Sequence, residues 1–209
     1  MSRGRFITFE GGEGTGKSTH IRLLSETLRG LGLQVATTRE PGGSEGAEQI
    51  RHLLVEGEPG RWDSMTEALL HFAARRDHLC RSVWPALAEG SWVLCDRFAD
   101  STVAYQGYGQ GLPRDAIDGL YRLVVGDFRP DLTIVLDVPV EDGLRRAHHR
   151  GGTEDRYERM QQAFHERLRQ GFLAIAEDNR ERCVVIDATA PRAEVQAAVL
   201  ATVRDRFGL

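Results

Sequence analysis

Residues 11–18 have the types and the spacing needed to bind a chain of phosphates. They fit the pattern G-x-x-x-x-G-K-[ST], and in order they are Gly11, Gly12, Glu13, Gly14, Thr15, Gly16, Lys17 and Ser18. Glycines let the backbone curl so that several N–H groups point at phosphate oxygens, and a helix starting at Lys17 turns its positive dipole end toward the same anion. Lys17 is then placed to reach the β and γ phosphates, and the Ser18 hydroxyl to coordinate Mg²⁺. We therefore expect residues 11–19, ending at Thr19, to bind ATP together with Mg²⁺.

The lysine of this loop is unusual for the chain. Lys17 is the only lysine among the 27 basic residues, so the other 26 are arginines. Because of this bias, a cluster of arginines is weak evidence for a phosphate-binding site in this chain. The single position that keeps a lysine is correspondingly stronger evidence. A glycine-rich turn without a ligand is the alternative, and the location between a predicted strand and a predicted helix disfavours it.

The loop alone does not identify the reaction. GTPase switches need an N-K-x-D motif, but Asn179, the only asparagine, is followed by Arg180. A small domain with a phosphate-binding loop and several arginine-bearing loops favours a small-molecule kinase.

Strands and helices alternate along the chain, a pattern typical of an α/β fold with a mostly parallel sheet. The predicted strands are 6–9, 33–38, 92–95, 132–138 and 183–186. The predicted helices are 17–31, 45–55, 66–89, 115–125, 140–149, 157–177 and 191–206. No repeat or linker divides the chain, so we expect residues 1–209 to form a single domain.

Composition excludes several other classes. The chain has 27 basic and 31 acidic residues, and the resulting net charge of −4 disfavours a nucleic-acid partner. The three cysteines fit no metal-binding spacing and no disulfide scaffold. No signal-peptide core and no apolar run of roughly 18 residues is found, so we expect no membrane association and a cytoplasmic location.

Three further segments resemble the signature stretches of bacterial thymidylate kinases. They are TREPGG at 38–43, DRFADSTVAYQG at 96–107, and the arginine-rich stretch at 145–156. With the phosphate loop they fall in the family's order, and the resemblance covers the whole chain. It implies a P-loop NTPase fold, with a five-stranded parallel sheet flanked by helices on both faces and a mobile arginine-rich lid near residues 145–157. It also implies transfer of the γ-phosphoryl group of ATP to dTMP in thymidine nucleotide biosynthesis, by a homodimer.

The resemblance implies roles around the acceptor phosphate and sugar. Asp96 would hold Mg²⁺ with Ser18, and Arg97 would clamp the acceptor phosphate with its planar donor fork. Glu13 would bond the sugar 3′-hydroxyl, and Tyr105 would crowd the 2′ position. The alternatives are a local Asp96–Arg97 ion pair, a solvent-exposed Glu13 and a packing role for Tyr105. The further acceptor-site residues are Arg39, Arg51, Pro41 and Ser101.

Thymine recognition is expected from Arg75, Thr102 and Gln106, with an aromatic ring stacked on the base. Arg76, the next residue, is the alternative to Arg75 for the contact with the base. Many family members have phenylalanine four residues before this arginine, where the chain has His71. We predict Phe72 as the stacking ring, with His71 and a core role for Phe72 left open.

The lid would supply positive charge and exclude water. Arg146 and Arg150 are four residues apart and would project from one helical face, and Arg156 follows. The variable loop positions hold no basic residue, so the resemblance implies that these three arginines neutralise the transferred group, with Lys17 and Arg97. A solvated basic helix end is the alternative. For the whole chain, the alternatives are a kinase for another nucleoside monophosphate and a P-loop switch without an acceptor.

Overall fold

The computed structural model describes residues 4–150 and 156–209, with the side chain of Arg150 outside the described part. Five strands lie in this part: β1 (Phe6–Glu10), β2 (Val35–Arg39), β3 (Trp92–Asp96), β4 (Leu132–Asp137) and β5 (Cys183–Asp187). The helices described are α1 (Lys17–Gly30), α2 (Glu45–Val55), α3 (Ser64–His78), α4 (Trp84–Ala88), α5 (Ala99–Thr102), α6 (Arg114–Val124), α7 (Val140–Arg150), α8 (Gln162–Asp178) and α9 (Arg192–Phe207). Two π-helical segments, Leu79–Val83 and Val103–Gly109, extend α3 and α5.

The five strands form one parallel sheet, as predicted, and the structure gives their order as β2-β3-β1-β4-β5. Side chains alternate between its two faces. Phe6 and Val93 join a core cluster with α3, α6 and α8, whereas Ile7 and Leu94 join a second cluster with α1 and α9. Helices on both faces therefore bury the central strands, which is the arrangement expected of a parallel sheet.

The long helix predicted for 66–89 is one helical rod with a π-helical segment inside it. Pro85 lies at the start of α4, where its missing N–H and its ring would disturb an uninterrupted α-helix. The helix predicted for 157–177 begins later, at Gln162, because residues 156–159 form turns. Helical residues 99–109 were not predicted. No helix in the described residues is long and apolar enough to span a membrane.

Candidate active site

A cleft of about 620 Å³ opens at the carboxyl ends of the strands. Parallel α/β sheets bind ligands at this edge. Sixteen of the predicted residues line it: Glu13, Gly14, Thr15, Gly16, Lys17, Ser18, Thr19, Arg39, Pro41, Arg51, Arg75, Asp96, Arg97, Ser101, Tyr105 and Gln106. Sequence reasoning did not single out Glu40, Val55, Phe98, Tyr157 and Glu158, which also line it.

The phosphate loop connects β1 to α1 through glycines in the left-handed region. Gly14 has φ 67°, and a Cβ there would lie 1.9 Å from the carbonyl oxygen of Gly143. Only glycine allows this approach of two backbones. The loop curls around the Lys17 ammonium, which donates hydrogen bonds to the carbonyls of Gly11 at 3.2 Å and Gly12 at 2.8 Å. Burial and the nearby Arg97 lower the pKa of Lys17 to about 8.

Ser18 and Asp96 meet at the mouth of the loop. The Ser18 hydroxyl donates to Asp96 Oδ2 at 2.6 Å across 78 residues of sequence. Hydroxyl and carboxylate oxygens are ligands that suit Mg²⁺, which takes few protein ligands and completes its shell with water and phosphate. This pair therefore fits the predicted metal.

Arg97 joins the loop to the acceptor side. Its guanidinium donates to the Gly11 carbonyl at 2.9 Å and to Glu13 Oε1 at 3.0 Å. Tyr105 OH donates to the same Glu13 oxygen at 2.5 Å. Burial alone would raise the pKa of Glu13, but Arg97, Lys17 and Tyr105 outweigh it and lower that pKa to about 2. Glu13 is thus an ionised acceptor held inside the cleft.

The backbone of Arg97 is strained, because its φ of 69° lies in the left-handed region that non-glycine residues seldom adopt. Glu10, at the end of β1, accepts hydrogen bonds from Phe98 N at 2.8 Å and Ser101 Oγ at 2.6 Å, on the chain just after this turn. Burial and the neighbouring Asp100 raise the pKa of Glu10 to about 8. These contacts of Glu10 could not be predicted from the sequence, because a glutamate at the end of a strand is an ordinary feature.

Of the two neighbouring arginines Arg75 and Arg76, Arg75 lines the cleft. It is 2 % exposed, and it donates to Glu40 Oε2 at 2.7 Å, to Phe98 O at 3.1 Å and to Thr102 Oγ1 at 3.2 Å. Its Nη1 has no hydrogen-bond partner among the described residues. Arg76, the alternative, is exposed and contacts Val124 and Trp84 instead. Thr102 does not line the cleft, and its contact with the site is the hydrogen bond that it accepts from Arg75.

The predicted stacking ring, Phe72, does not lie on the cleft. It is 1 % exposed in the core, with the Arg75 guanidinium 4.7 Å from its ring centroid. His71 lines the cleft in its place, because adjacent helical residues point about 100° apart. Burial and then Arg75 and Arg156 lower the pKa of His71 to about 3, so its ring is neutral.

Gln106 carries an unused acceptor. Its side chain is fully buried, and Nε2 donates to Glu67 Oε2 at 3.0 Å. Its Oε1 has no partner in the described part of the chain. A donor on a ligand in the cleft can satisfy it.

The outer wall holds Arg39, Arg51 and Pro41. Arg39 pairs with Glu48 at 3.0 Å, and Arg51 donates to the carbonyl of Pro41 at 2.7 Å. Both arginines line the cleft and add positive charge to it.

The lid arginines occupy different surroundings. Arg146 donates to the carbonyl of Ala188 at 3.2 Å and does not line the cleft. The Arg150 side chain and residues 151–155 lie outside the described residues. Arg156 is 2 % exposed, pairs with Glu67 and donates to the Leu54 carbonyl at 2.8 Å. Its predicted place beside the phosphates is therefore not its place in this structure.

Known proteins resemble the chain along its whole length. The family model described as Thymidylate kinase matches residues 9–199. The thymidylate kinase of Caulobacter vibrioides is 55 % identical over 209 residues, covering 100 % of both chains, and that of Nitrobacter hamburgensis is 53 % identical, covering 99 % of this chain and 90 % of its own. The crystal structure of thymidylate kinase from Ehrlichia chaffeensis has 36 % identity and a TM-score of 0.79, covering 97 % of this chain and 100 % of that one.

Proposed function

The chain belongs to the thymidylate kinase family, and from this premise we propose how its residues divide the reaction among them. The enzyme is a phosphotransferase that uses ATP with Mg²⁺ to convert dTMP to dTDP in thymidine nucleotide biosynthesis. The observation that carries the assignment of roles is a single cleft. It joins the phosphate loop to Arg97, Tyr105, Gln106 and Arg75.

Lys17 and Arg97 act on the reacting phosphates. The acceptor phosphate oxygen is already ionised, so it attacks the γ-phosphorus in line without a general base. Lys17 stabilises the charge on the β and γ phosphates, and Arg97 holds the acceptor phosphate. Ser18 and Asp96 would hold Mg²⁺, which would supply positive charge to the phosphates when bound.

Glu13 and Tyr105 bind the sugar. The ionised Glu13 accepts only, so it suits the 3′-hydroxyl, which can donate. Tyr105 fixes that carboxylate through its own hydroxyl and fills the volume beside it. A ribose 2′-hydroxyl would have to displace the Tyr105 ring, which is 5 % exposed.

Arg75 and Gln106 identify the base. Thymine presents a carbonyl at C4 and an N–H at N3, one acceptor beside one donor. The unpartnered Arg75 Nη1 is a donor, and the unpartnered Gln106 Oε1 is an acceptor, so the two match this pair. The neutral His71 ring is the stacking surface.

The lid arginines have separate roles. Arg146 and Arg150 supply charge to the transferred phosphoryl group, because the variable loop positions carry no basic residue. Arg156 was expected to do the same, but Glu67 and two carbonyls occupy its guanidinium, so we assign it to fixing the segment after residue 155. Arg39 and Arg51 add positive charge near the acceptor phosphate.

We also propose a single-domain protein that acts as a cytoplasmic homodimer. Leu69 on α3 is 50 % exposed and Leu123 on the neighbouring α6 is 82 % exposed, which supports a partner surface on these helices. Light scattering should give twice the 23.3 kDa chain mass. A monomer at micromolar concentration would contradict the dimer.

ADP release should be measured with dTMP, dUMP, dCMP, dGMP and thymidine as acceptors. The highest kcat/KM is expected with dTMP. Cytosine lacks the N3–H donor, thymidine lacks the acceptor phosphate, and uracil, which presents the same carbonyl and N–H as thymine, lacks the apolar contact area of the 5-methyl group. Equal turnover with dGMP would indicate another monophosphate kinase, and hydrolysis without any acceptor would indicate a nucleotide switch.

A further inference from the structure

Glu67 is a buried carboxylate that the roles given so far do not use. It lies on α3 with 0 % exposure and does not line the cleft. Its Oε2 accepts hydrogen bonds from Gln106 Nε2 at 3.0 Å, Gln110 Nε2 at 2.7 Å and Tyr157 OH at 3.1 Å. Its Oε1 accepts from Arg156 Nη2. We propose that Glu67 is the positioning residue for thymine recognition, which fixes the amide of Gln106 so that an acceptor faces the base.

The orientation of an amide depends on its partner. A carboxylate paired with arginine has acceptors only, so the Gln106 amide must turn its NH₂ group toward Glu67. The oxygen of Gln106 is then left for a ligand, and it is the atom without a partner. If the amide turned over, an NH₂ group would face the base. Thymine N3 donates a hydrogen bond whereas cytosine N3 accepts one, so the orientation separates the two bases.

The same carboxylate sets the tautomer of His71. Tyr157 has one hydroxyl proton, which it donates to Glu67. Tyr157 oxygen lies 3.2 Å from His71 Nε2 and can only accept there. The neutral His71 therefore carries its proton on Nε2, and both base-contacting side chains take their orientation from Glu67.

Arg156 neutralises the charge of Glu67 in the protein interior. A buried carboxylate without a cation would be strongly destabilising, and Arg156 compensates the charge from the other side. This contact assigns one carboxylate oxygen to Arg156 and leaves the other for the three neutral donors. The ion pair and the amide contacts thus form one unit.

Glu67→Gln gives a directional test. Arg156 would take the new amide oxygen at the former Oε1 position, which puts the new NH₂ group against the NH₂ group of Gln106. Gln106 would then turn over and offer its NH₂ group to the base. We expect kcat/KM to fall for dTMP and to rise for dCMP, with a drop in their ratio on the order of 10-fold or more. A loss of stability would lower both values, so only a change of orientation raises the dCMP value.

A matched control and a double-mutant cycle complete the test. Gln110→Leu removes another amide from the same carboxylate oxygen, away from the cleft, and should leave the dTMP/dCMP ratio unchanged. Glu67→Gln in a Gln106→Leu background should produce no further change in the ratio, because Glu67 acts on the N3 position of the base through Gln106, whereas a stacked His71 ring contacts thymine and cytosine alike. Each of three results overturns the inference. They are an unchanged ratio in Glu67→Gln, an equal change of the ratio in Gln110→Leu, and additive effects of Glu67→Gln and Gln106→Leu in the cycle.

The inference rests on the proposed contact between Gln106 and the base, and the two can fail separately. If Gln106→Leu leaves the ratio unchanged, the base contact itself is refuted. If Gln106→Leu lowers the ratio while Glu67→Gln does not, only the role of Glu67 is refuted. Should Glu67→Gln fail to fold, Glu67→Leu/Arg156→Met removes both members of the buried ion pair together. No carboxylate then fixes the amide of Gln106, so the ratio should still fall, and an unchanged ratio there counts against the inference.

Discussion

Replacement of Tyr105 separates selection of the sugar from packing of the core. The ring is 5 % exposed and lies 5.2 Å from the ring of Tyr157 and 6.0 Å from that of Phe164. Its hydroxyl donates to Glu13 at 2.5 Å. The side chain therefore contributes a ring volume and a hydrogen bond, and two variants remove them in turn.

Tyr105→Phe keeps the ring and loses the hydroxyl. A hydrogen bond to a charged group contributes about 1.5–3 kcal/mol, although Arg97 still pairs with Glu13 and reduces the loss. We expect kcat/KM to fall about 5- to 30-fold for dTMP and for its 2′-hydroxy analogue alike. The pKa of Glu13 would rise from about 2 but stay far below neutrality, so its charge at pH 7 is unchanged.

Tyr105→Ala removes the ring itself. A steric conflict in a packed pocket is worth about 1–3 kcal/mol, so the preference for deoxyribose should relax by roughly 5- to 150-fold. Loss of a buried ring should also lower the free energy of unfolding by about 3–5 kcal/mol. Phe164→Ala is the matched control, because its ring packs on Tyr105 and does not line the cleft.

Steady-state kcat/KM for both acceptors, below the melting temperature of each variant, decides between the two roles. Sugar selection predicts a relaxed ratio in Tyr105→Ala and an unchanged ratio in Tyr105→Phe and Phe164→Ala. A lower melting temperature with an unchanged ratio in Tyr105→Ala would falsify the steric argument and leave Tyr105 a packing residue.

Further outcomes concern the phosphates. Lys17→Ala should lower kcat by orders of magnitude with little change in melting temperature, and near-normal turnover would refute the assignment of the loop. With a Lys17 pKa of about 8, its charge is present below that pH and lost above it, so the Kd of ATP should rise about 10-fold between pH 7 and pH 9 by titration calorimetry. In Lys17→Met the rise in the Kd of ATP should shrink to the part caused by ionisation of Glu10, whose pKa is also about 8. An unchanged rise would show that deprotonation of Lys17 is not its cause. Arg146→Ala and Arg150→Ala should lower kcat more than they raise KM for dTMP, and full kcat in both would show that the charge comes from elsewhere.

The parts of the site that follow from local pattern could be predicted from the sequence. The spacing of residues 11–18 places Lys17, and a strand that ends in Asp96 brings its carboxylate to the same sheet edge. Alternation of strands and helices likewise predicts the parallel sheet. In each case a short stretch of chain contains all the information needed.

Contacts between distant segments could not be predicted. Phe72 and His71 differ by one helical step, and only the packing of α3 decides which lies in the core. Arg156 and its partner Glu67 are 89 residues apart, and a glutamate in an amphipathic helix usually indicates a solvated face. The late start of α8 follows from the same pair, since Arg156 and Tyr157 are held at Glu67 before the helix begins.

The single lysine has a practical consequence for handling the protein. Apart from the N-terminal amine, Lys17 is the only primary amine of the chain, and it lines the cleft proposed to bind the nucleotide, at 7 % exposure. A reagent selective for side-chain amines can therefore measure how much of the site is occupied. Mass spectrometry should show one addition when the site is empty, and ATP should suppress that addition when it is bound. For the same reason, immobilisation through lysine chemistry would modify the lysine that we propose acts on the phosphates, so this enzyme is better attached through a cysteine such as the exposed Cys80.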